Sequence, residues 1–160
     1  MRTYANMTFE EIMDTYADMV TRLALLRMGN EQDAQDVFQN VFLKLYTQTM
    51  EFEDMHHIKA WLIQTTIHAC VDEHRKFWRK HRKRLDETFA QVEKPEERAE
   101  LYELMELPIN HRNALYLYYY EGYSIKEISV LMKTRENTVK SWMRRGKDEL
   151  RQILGGEEDA

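Results

Sequence analysis

"SIKEISVLMKTRENTVKSWMRRGKDELRQIL", residues 124–154, carries the signals of two helices separated by a turn. Ser124 followed by Glu127 has capping-box spacing, in which a hydroxyl and a carboxylate satisfy each other's backbone N–H groups at a helix start. The short helix begun there is expected to end near Met132, and Thr134 is placed to cap a second helix with Glu136 against its N-terminal dipole. Val139, Met143, Gly146 and Leu150 recur at helical spacing and form that helix's inner stripe. At about 100° per residue, Asn137, Lys140, Ser141 and Arg144 point away from it, where a recognition helix carries its base-reading side chains. Arg145 and Lys147 are expected nearer phosphates. A capped helix, a short turn and a cationic helix together read as a helix-turn-helix, against the alternative of an ordinary polar surface.

The whole chain does not look like a DNA binder. Its 160 residues hold 23 Lys+Arg against 28 Asp+Glu, a net charge of −5, and phosphate repels net negative charge. The charge comes in blocks. Residues 1–74 balance to −7, "RKFWRKHRKR" (75–84) contributes +7, residues 85–123 carry −6, and residues 124–151 carry +4. Two basic surfaces flanked by acidic segments imply two nucleic-acid contacts and one surface built for another partner. The band at 75–84 can also be read as a solvated helix end.

Five Gly and two Pro in a chain rich in Leu, Met, Glu, Lys and Arg predict an all-α fold with short connections. The single Cys70 can form no internal disulfide, and acids occupy residues 1–20 where a secretory signal would need an apolar run. No segment approaches the roughly 18 apolar residues of a membrane span, so direct membrane insertion is not expected and a cytoplasmic location is.

Along the chain, Thr8 and Glu11 have capping-box spacing, and Ile12, Tyr16, Met19, Val20, Leu23 and Leu26 mark an amphipathic helix ending at Gly29. Asn30 can cap a second helix with Ala34, Val37, Phe38, Val41 and Leu45 buried, which turns Asp36, Gln39, Asn40 and Lys44 outward. Residues 47–57 read as a loop. Ile58, Trp61, Leu62, Thr65, Ala69 and Val71 suggest the inner face of a third long helix running into the basic band. The acidic, Pro95-containing stretch 86–100 has little to bury and reads as a linker. Beyond it, Pro108 can begin a helix with Ala114, Leu115, Leu117 and Tyr118 as its apolar face, and Gly122 can cap its end.

"DAQDVFQNVFLKLY" (33–46), "KAWLIQTTIHACVDEHRK" (59–76) and "LPINHRNALYLYYYEGYSIKEISVLMKTRENTVKSW" (107–142) resemble the extracytoplasmic-function sigma factors, the smallest members of the sigma-70 family. The resemblance implies two small helical domains joined by a flexible linker. Residues 1–84 would be sigma region 2, 85–104 the linker, 105–154 the helix-turn-helix of region 4, and 155–160 a tail. It implies a protein that binds core RNA polymerase, through the clamp helices of β′ and the β flap, and directs it to promoter DNA. It also implies an anti-sigma factor, in this family often membrane-anchored. No catalytic residue, metal or cofactor is expected.

By the same resemblance, Asp36, Gln39, Asn40 and Phe42 fall on the polymerase-binding surface, although many relatives carry Glu at the position of Asn40. The third helix and the loop at 47–57 match the segment that reads and opens the minus-10 element, where a pocket must receive an extruded base. Lys59, His68, Arg75, Lys76 and Arg79 are the candidates for strand contacts; relatives often have Asn at His68. Trp61 is read as core rather than as a stacking platform, and Phe77 or Trp78 could serve either role. In region 4, Lys133 replaces a common Gly and Arg135 a common Ser cap, so Lys133 is expected to take a left-handed conformation and the helix start can move by a residue.

Three alternatives remain at this level. A regulator with a response-regulator-type helix-turn-helix fits the C-terminal half, but would require a βα receiver, and no alternating strand pattern precedes residue 60. A metalloenzyme would recruit His68, Asp72 and His56 or His57 without a recognised ligand motif. An adaptor would bind no DNA sequence-specifically even with polymerase.

Overall fold

The structure, a computed structural model, describes residues 2–78 and 103–158, with side chains for 2–69 and 103–155. The chain divides into two compact units, Met1–Asp86 and Glu87–Ala160. The first opens with an antiparallel hairpin of β1 (Thr3–Tyr4) and β2 (Met7–Thr8), followed by α1 (Phe9–Met28), α2 (Glu31–Thr47) and α3 (Met55–Trp78). The second contains α4 (Ile109–Tyr119), α5 (Ile125–Leu131) and α6 (Glu136–Glu158). The fold is all-α, and the hairpin is the departure from it among the described residues. Its Ala5 and Asn6 both have positive φ, 50° and 68°, the geometry of a two-residue turn whose twist matches the flanking strands.

Caps set the helix boundaries of the first unit. The Thr8 hydroxyl oxygen accepts from the Glu11 N–H at 3.2 Å, and Asn30 Oδ1 from the Asp33 N–H at 2.8 Å. Between those starts, Gly29 takes the left-handed conformation (φ 79°) and its N–H returns to the Leu25 carbonyl at 2.8 Å, which ends α1 and turns the chain. All three helices pack on one another. Ile12, Val20, Leu23 and Leu26 of α1 meet Val37, Val41 and Leu45 of α2 and Ile58, Leu62, Ile63 and Ile67 of α3 in a solvent-free core. At about 1.5–3 kcal/mol for each buried Leu, Ile or Val, this core is what offsets the ordering of a small unit.

The inner face of α3 differs from expectation. Ile58 and Leu62 are buried as predicted, but Ile63, Thr66 and Ile67 complete the face, while Trp61, Thr65 and Ala69 are half-exposed. The side chain of Val71 lies outside the described residues. A helix that packs against two others buries a broader face than a single stripe, and Trp61 misled the phase.

In the second unit, Arg112 is buried and its Nη1 donates to the Met105 carbonyl at 3.0 Å, fastening the helical turn at 103–105 to α4. The capping box is complete: the Glu127 N–H donates to Ser124 Oγ at 3.1 Å and the Ser124 N–H to Glu127 Oε1 at 3.0 Å. α5 ends in a Schellman motif, with the Lys133 N–H on the Val130 carbonyl (3.2 Å) and the Thr134 N–H on that of Ser129 (2.9 Å). Lys133 accordingly sits at φ 53°. Thr134 is not the cap of α6. The helix begins at Glu136, and the Arg135 carbonyl accepts its first turn's bond from Val139 (3.1 Å). Gly122 has φ 75°, two residues past Tyr120, which caps the C-terminus of α4.

The inner stripe of α6 is as expected: Val139, Met143 and Gly146 are buried and Leu150 is half-buried. At Gly146 a Cβ would lie 2.7 Å from Leu115 Cδ1, 3.3 Å from Leu115 Cγ and 3.4 Å from His111 Cβ, so only glycine lets α6 approach α4 this closely. Across the same contact, His111 Nδ1 and Glu149 Oε1 are 2.8 Å apart.

Gly146→Ala is expected to destabilise the second unit by about 1 kcal/mol, because overpacking against Leu115 outweighs the gain in helix propensity. Lys133→Gly is expected to stabilise it by about 1 kcal/mol through relief of the left-handed strain. Chemical denaturation of the full chain reads both; equal effects of one sign would contradict the packing described.

Candidate functional site

The first candidate face lies on α2. With Val37, Val41 and Leu45 turned into the core, Asp36, Gln39 and Asn40 are exposed, as expected, and their spacing of three and four residues places them side by side. Phe42 is not on this face. It is 3% exposed and packs its ring 4.7 Å from that of Phe38 and 6.3 Å, edge-on, from that of Phe9. Its place is taken by Leu43, 60% exposed, one turn beyond Gln39 and Asn40, and by Tyr46, 59% exposed with its ring edge-on to Phe9 at 5.4 Å. Helical phase alone points to Leu43, since each residue turns the helix by about 100° and two residues past the buried Val41 reach the opposite side. An acid, two amides and an exposed leucine on one rigid helix form a mixed polar and apolar face open to solvent.

The second face combines α3 with the loop before it. His57, Trp61 and His68 are separated by four and seven residues and share one side of α3. His68 is exposed and Trp61 half-exposed, its ring edge-on to that of Phe52 at 5.9 Å. Trp61 is therefore at the border of the core rather than in it. Lys59 is nine residues from His68, which at about 100° each places it on the opposite side of the helix. The structure thus does not join Lys59 and His68 into one track. Arg75 and Lys76 belong to the last turns of α3, with side chains outside the described residues, and Arg79 lies outside them altogether. The loop spans residues 48–54, shorter than the expected 47–57 because α2 runs on to Thr47 and α3 starts at Met55. It is tied down from within: the Glu53 N–H donates to His57 Nδ1 (3.1 Å) and the His57 N–H to Asp54 Oδ1 (2.9 Å). At the start of α3 the Tyr16 hydroxyl donates to the Met55 carbonyl at 3.4 Å, and burial raises the pKa of that phenol.

The third face belongs to α6. Asn137, Lys140, Arg144 and Arg145 are exposed and Ser141 half-exposed, opposite the Val139–Met143–Gly146 stripe. Lys147 lies at the edge of this face, its Nζ 5.6 Å from the centre of the Tyr119 ring, so it is held toward α4. Lys133, Thr134 and Arg135 open, with Ser129, Val130 and Thr138, onto a cleft of about 580 Å³ beside the start of α6. Lys133 and Arg135 stand out in the sequence as misfits in a turn; in the fold they add two cations next to the start of α6. Among the described residues no group of three His, Cys, Asp or Glu is placed to hold a metal ion, and no helix is long and apolar enough to cross a membrane. The side chain of Asp72, required by the metal alternative, lies outside the described residues.

Residues 12–80 match the family model described as Sigma-70 region 2, and residues 98–150 that described as Sigma-70, region 4. The chain is 30% identical over 160 residues to the ECF RNA polymerase sigma factor SigM of Bacillus subtilis (strain 168), an alignment covering 92% of this chain and 95% of that protein. It is 26% identical to SigW of the same organism, covering 91% and 88%. The sigma factor RpoE of Bartonella quintana, solved in complex with the anti-sigma factor NepR, has the same fold at a TM-score of 0.69 and 19% identity, over 92% of this chain and 96% of that one.

Phe42 and Leu43, neighbours on α2, separate packing from docking. Phe42→Ala is expected to cost about 3–5 kcal/mol of stability, and Leu43→Ala to stay within about 0.5 kcal/mol of the parent. Denaturant midpoints of the two variants check this; a large loss for Leu43→Ala would mean that the residue is structural.

Proposed function

The chain belongs to the extracytoplasmic-function group of sigma-70 factors, RNA polymerase sigma factors that direct transcription initiation, and on that premise we propose how its faces divide the work. Asp36, Gln39, Asn40 and Leu43 on α2 dock the clamp helices of the polymerase β′ subunit. His68 and the loop 48–54, together with the cations Arg75, Lys76 and Arg79 that follow in the sequence, engage the minus-10 element. Asn137, Lys140, Ser141 and Arg144 read base edges of the minus-35 element in the major groove, with Arg145 on phosphate. Lys147 and Lys59 are marginal to these tracks, the first because it leans on Tyr119 and the second because of its side of α3.

The observation that carries this division is that the exposed faces differ in kind: acid, amide and leucine on α2, cations and Asn on α6. A face whose one cation, Lys44, is offset by Asp36 suits a protein surface, and a face of several cations suits DNA. The exposed Tyr118, Tyr119 and Tyr120 at the end of α4 offer an apolar surface to the β flap. The protein acts in the cytoplasm by binding rather than by catalysis. An anti-sigma factor holds it inactive, a reading supported by the Bartonella quintana relative, which was solved bound to the anti-sigma factor NepR.

Asp36→Arg and Leu43→Ala are each expected to weaken competition for core polymerase about tenfold, the equivalent of about 1.4 kcal/mol. Competition against unmodified protein, read by co-purification, checks this; wild-type competition by both variants overturns the α2 assignment. In run-off transcription on a randomised minus-35 library, Arg144→Ala is expected to relax preference at one position, worth about 1–3 kcal/mol, while Arg145→Ala lowers output on all sequences alike and reduces the salt dependence. The reverse pattern would show that the phase of α6 against DNA is wrong.

A further inference from the structure

The loop 48–54 is seven residues long, has no secondary structure and bears the exposed Thr49, Met50, Glu51, Glu53 and Asp54. Holding such a segment in one conformation costs about 1–2 kcal/mol per residue in backbone entropy, so something must fix it if it is to present a shaped surface. Its start and its centre are gripped by the N-terminal hairpin, which is remote in sequence. Arg2 Nη1 donates to the Tyr46 carbonyl at 2.8 Å, and the same guanidinium donates to the Gln48 carbonyl, so the last turn of α2 and the first loop residue are clasped together. The guanidinium also lies 4.8 Å from the centre of the Tyr4 ring. Tyr4, 4% exposed, in turn packs on Phe52, 7% exposed, at 6.4 Å between ring centres. Phe52 is the hub of the loop, edge-on to His57 at 5.1 Å and to Trp61 at 5.9 Å.

We infer that the hairpin is a positioning element for promoter recognition: Arg2 and Tyr4 fix the loop 48–54 and, through Phe52, the His57–Trp61 side of α3, and thereby set base preference in the minus-10 element without touching DNA. Neither residue belongs to a helix of the bundle, although Tyr4 is itself buried. Tyr4 acts by ring shape alone, since its buried hydroxyl has no hydrogen-bond partner among the described residues. Arg2 is exposed and acts through the two carbonyls. A recognition loop loosened by even an ångström loses discrimination before it loses binding. The inference rests on the proposal that this loop meets the minus-10 element.

The test uses the full chain bound to core polymerase, with run-off transcription on two libraries, one randomised in the minus-10 and one in the minus-35 element. Tyr4→Ala is expected to lower discrimination at one or more minus-10 positions about fivefold, the lower end of what one base-specific contact supplies, with the minus-35 profile and competition for core unchanged. Arg2→Ala is expected to shift the same positions to a smaller extent. Tyr4→Phe is expected to match the parent, and Arg2→Lys to recover part of the loss because it can reach only one carbonyl at a time. A loop variant with Thr49, Met50 and Glu51 replaced by Ala serves as the reference. If it alters the minus-10 profile while Tyr4→Ala and Arg2→Ala leave it unchanged, the hairpin has no positioning role. A uniform loss across both libraries in the hairpin variants also overturns the inference, since that is the signature of a folding defect. Should Tyr4→Ala fail to fold, Arg2→Ala, at an exposed site, decides the matter alone. If neither hairpin nor loop variants change the minus-10 profile, the loop's role in reading that element fails and the inference falls with it.

Discussion

The close approach of α6 to α4 at Gly146 governs what the second unit can present to DNA. Leu115 fills the space in which a Cβ would stand, and Val139 and Met143 continue the contact toward the turn. Because a helix is rigid in rotation once one stripe is buried, this contact fixes the azimuth of every other residue on α6. Asn137, Lys140 and Arg144 are outward because Gly146 is inward. The left-handed Lys133 and the Schellman bonds of Ser129 and Val130 then determine where α6 begins, and so how far along its axis each exposed side chain lies. Strain at Lys133 accompanies this arrangement, and so does the cation it places beside the cleft.

The acidity of the chain, which argues against DNA binding when averaged, follows from having several partners. A protein that meets a polymerase as well as a promoter has reason to confine cations to the surfaces that face phosphate and leave the others neutral or acidic. Screening over about 8–10 Å at physiological ionic strength lets such blocks act separately. On α2 the exposed face carries Asp36, two amides, Leu43 and Lys44, and its aromatic neighbours Phe38 and Phe42 pack on each other beside it. Within the first unit, aromatic edge-to-face contacts serve a second purpose. Phe9, Phe42 and Tyr46 secure the end of α2, and Tyr4, Phe52, His57 and Trp61 secure the loop that follows it.

Local chemistry makes much of this legible in the sequence. The all-α class, the starts of α1, α2 and α5 at Thr8, Asn30 and Ser124, the end of α1 at Gly29 and the inner stripe of α6 are set by interactions between residues no more than a turn or two apart. Such interactions leave their spacing in the sequence. The family motifs, spanning both units, are equally readable, and the outward Asp36, Gln39 and Asn40 follow from the phase of Val37, Val41 and Leu45.

What the sequence leaves undetermined depends on partners distant in the chain. Phe42 reads as surface because its burial is decided by Phe9, thirty-three residues away on α1, and Trp61 reads as core because its environment is decided by Phe52 in an irregular loop. The face of α3 widens to Ile63 and Ile67 because two helices pack on it, which no single-helix periodicity encodes. The hairpin at residues 3–8 has two-residue strands, too short to show alternation, and exists through its turn and the burial of Tyr4 and Met7. Sequence alone determined which helices form and which side of α2 and α6 is polar, because hydrogen bonding and amphipathic phase act within a few residues. Tertiary structure decided which aromatic residues are walls and which are surface, because burial is a property of whatever distant segment arrives to cover them.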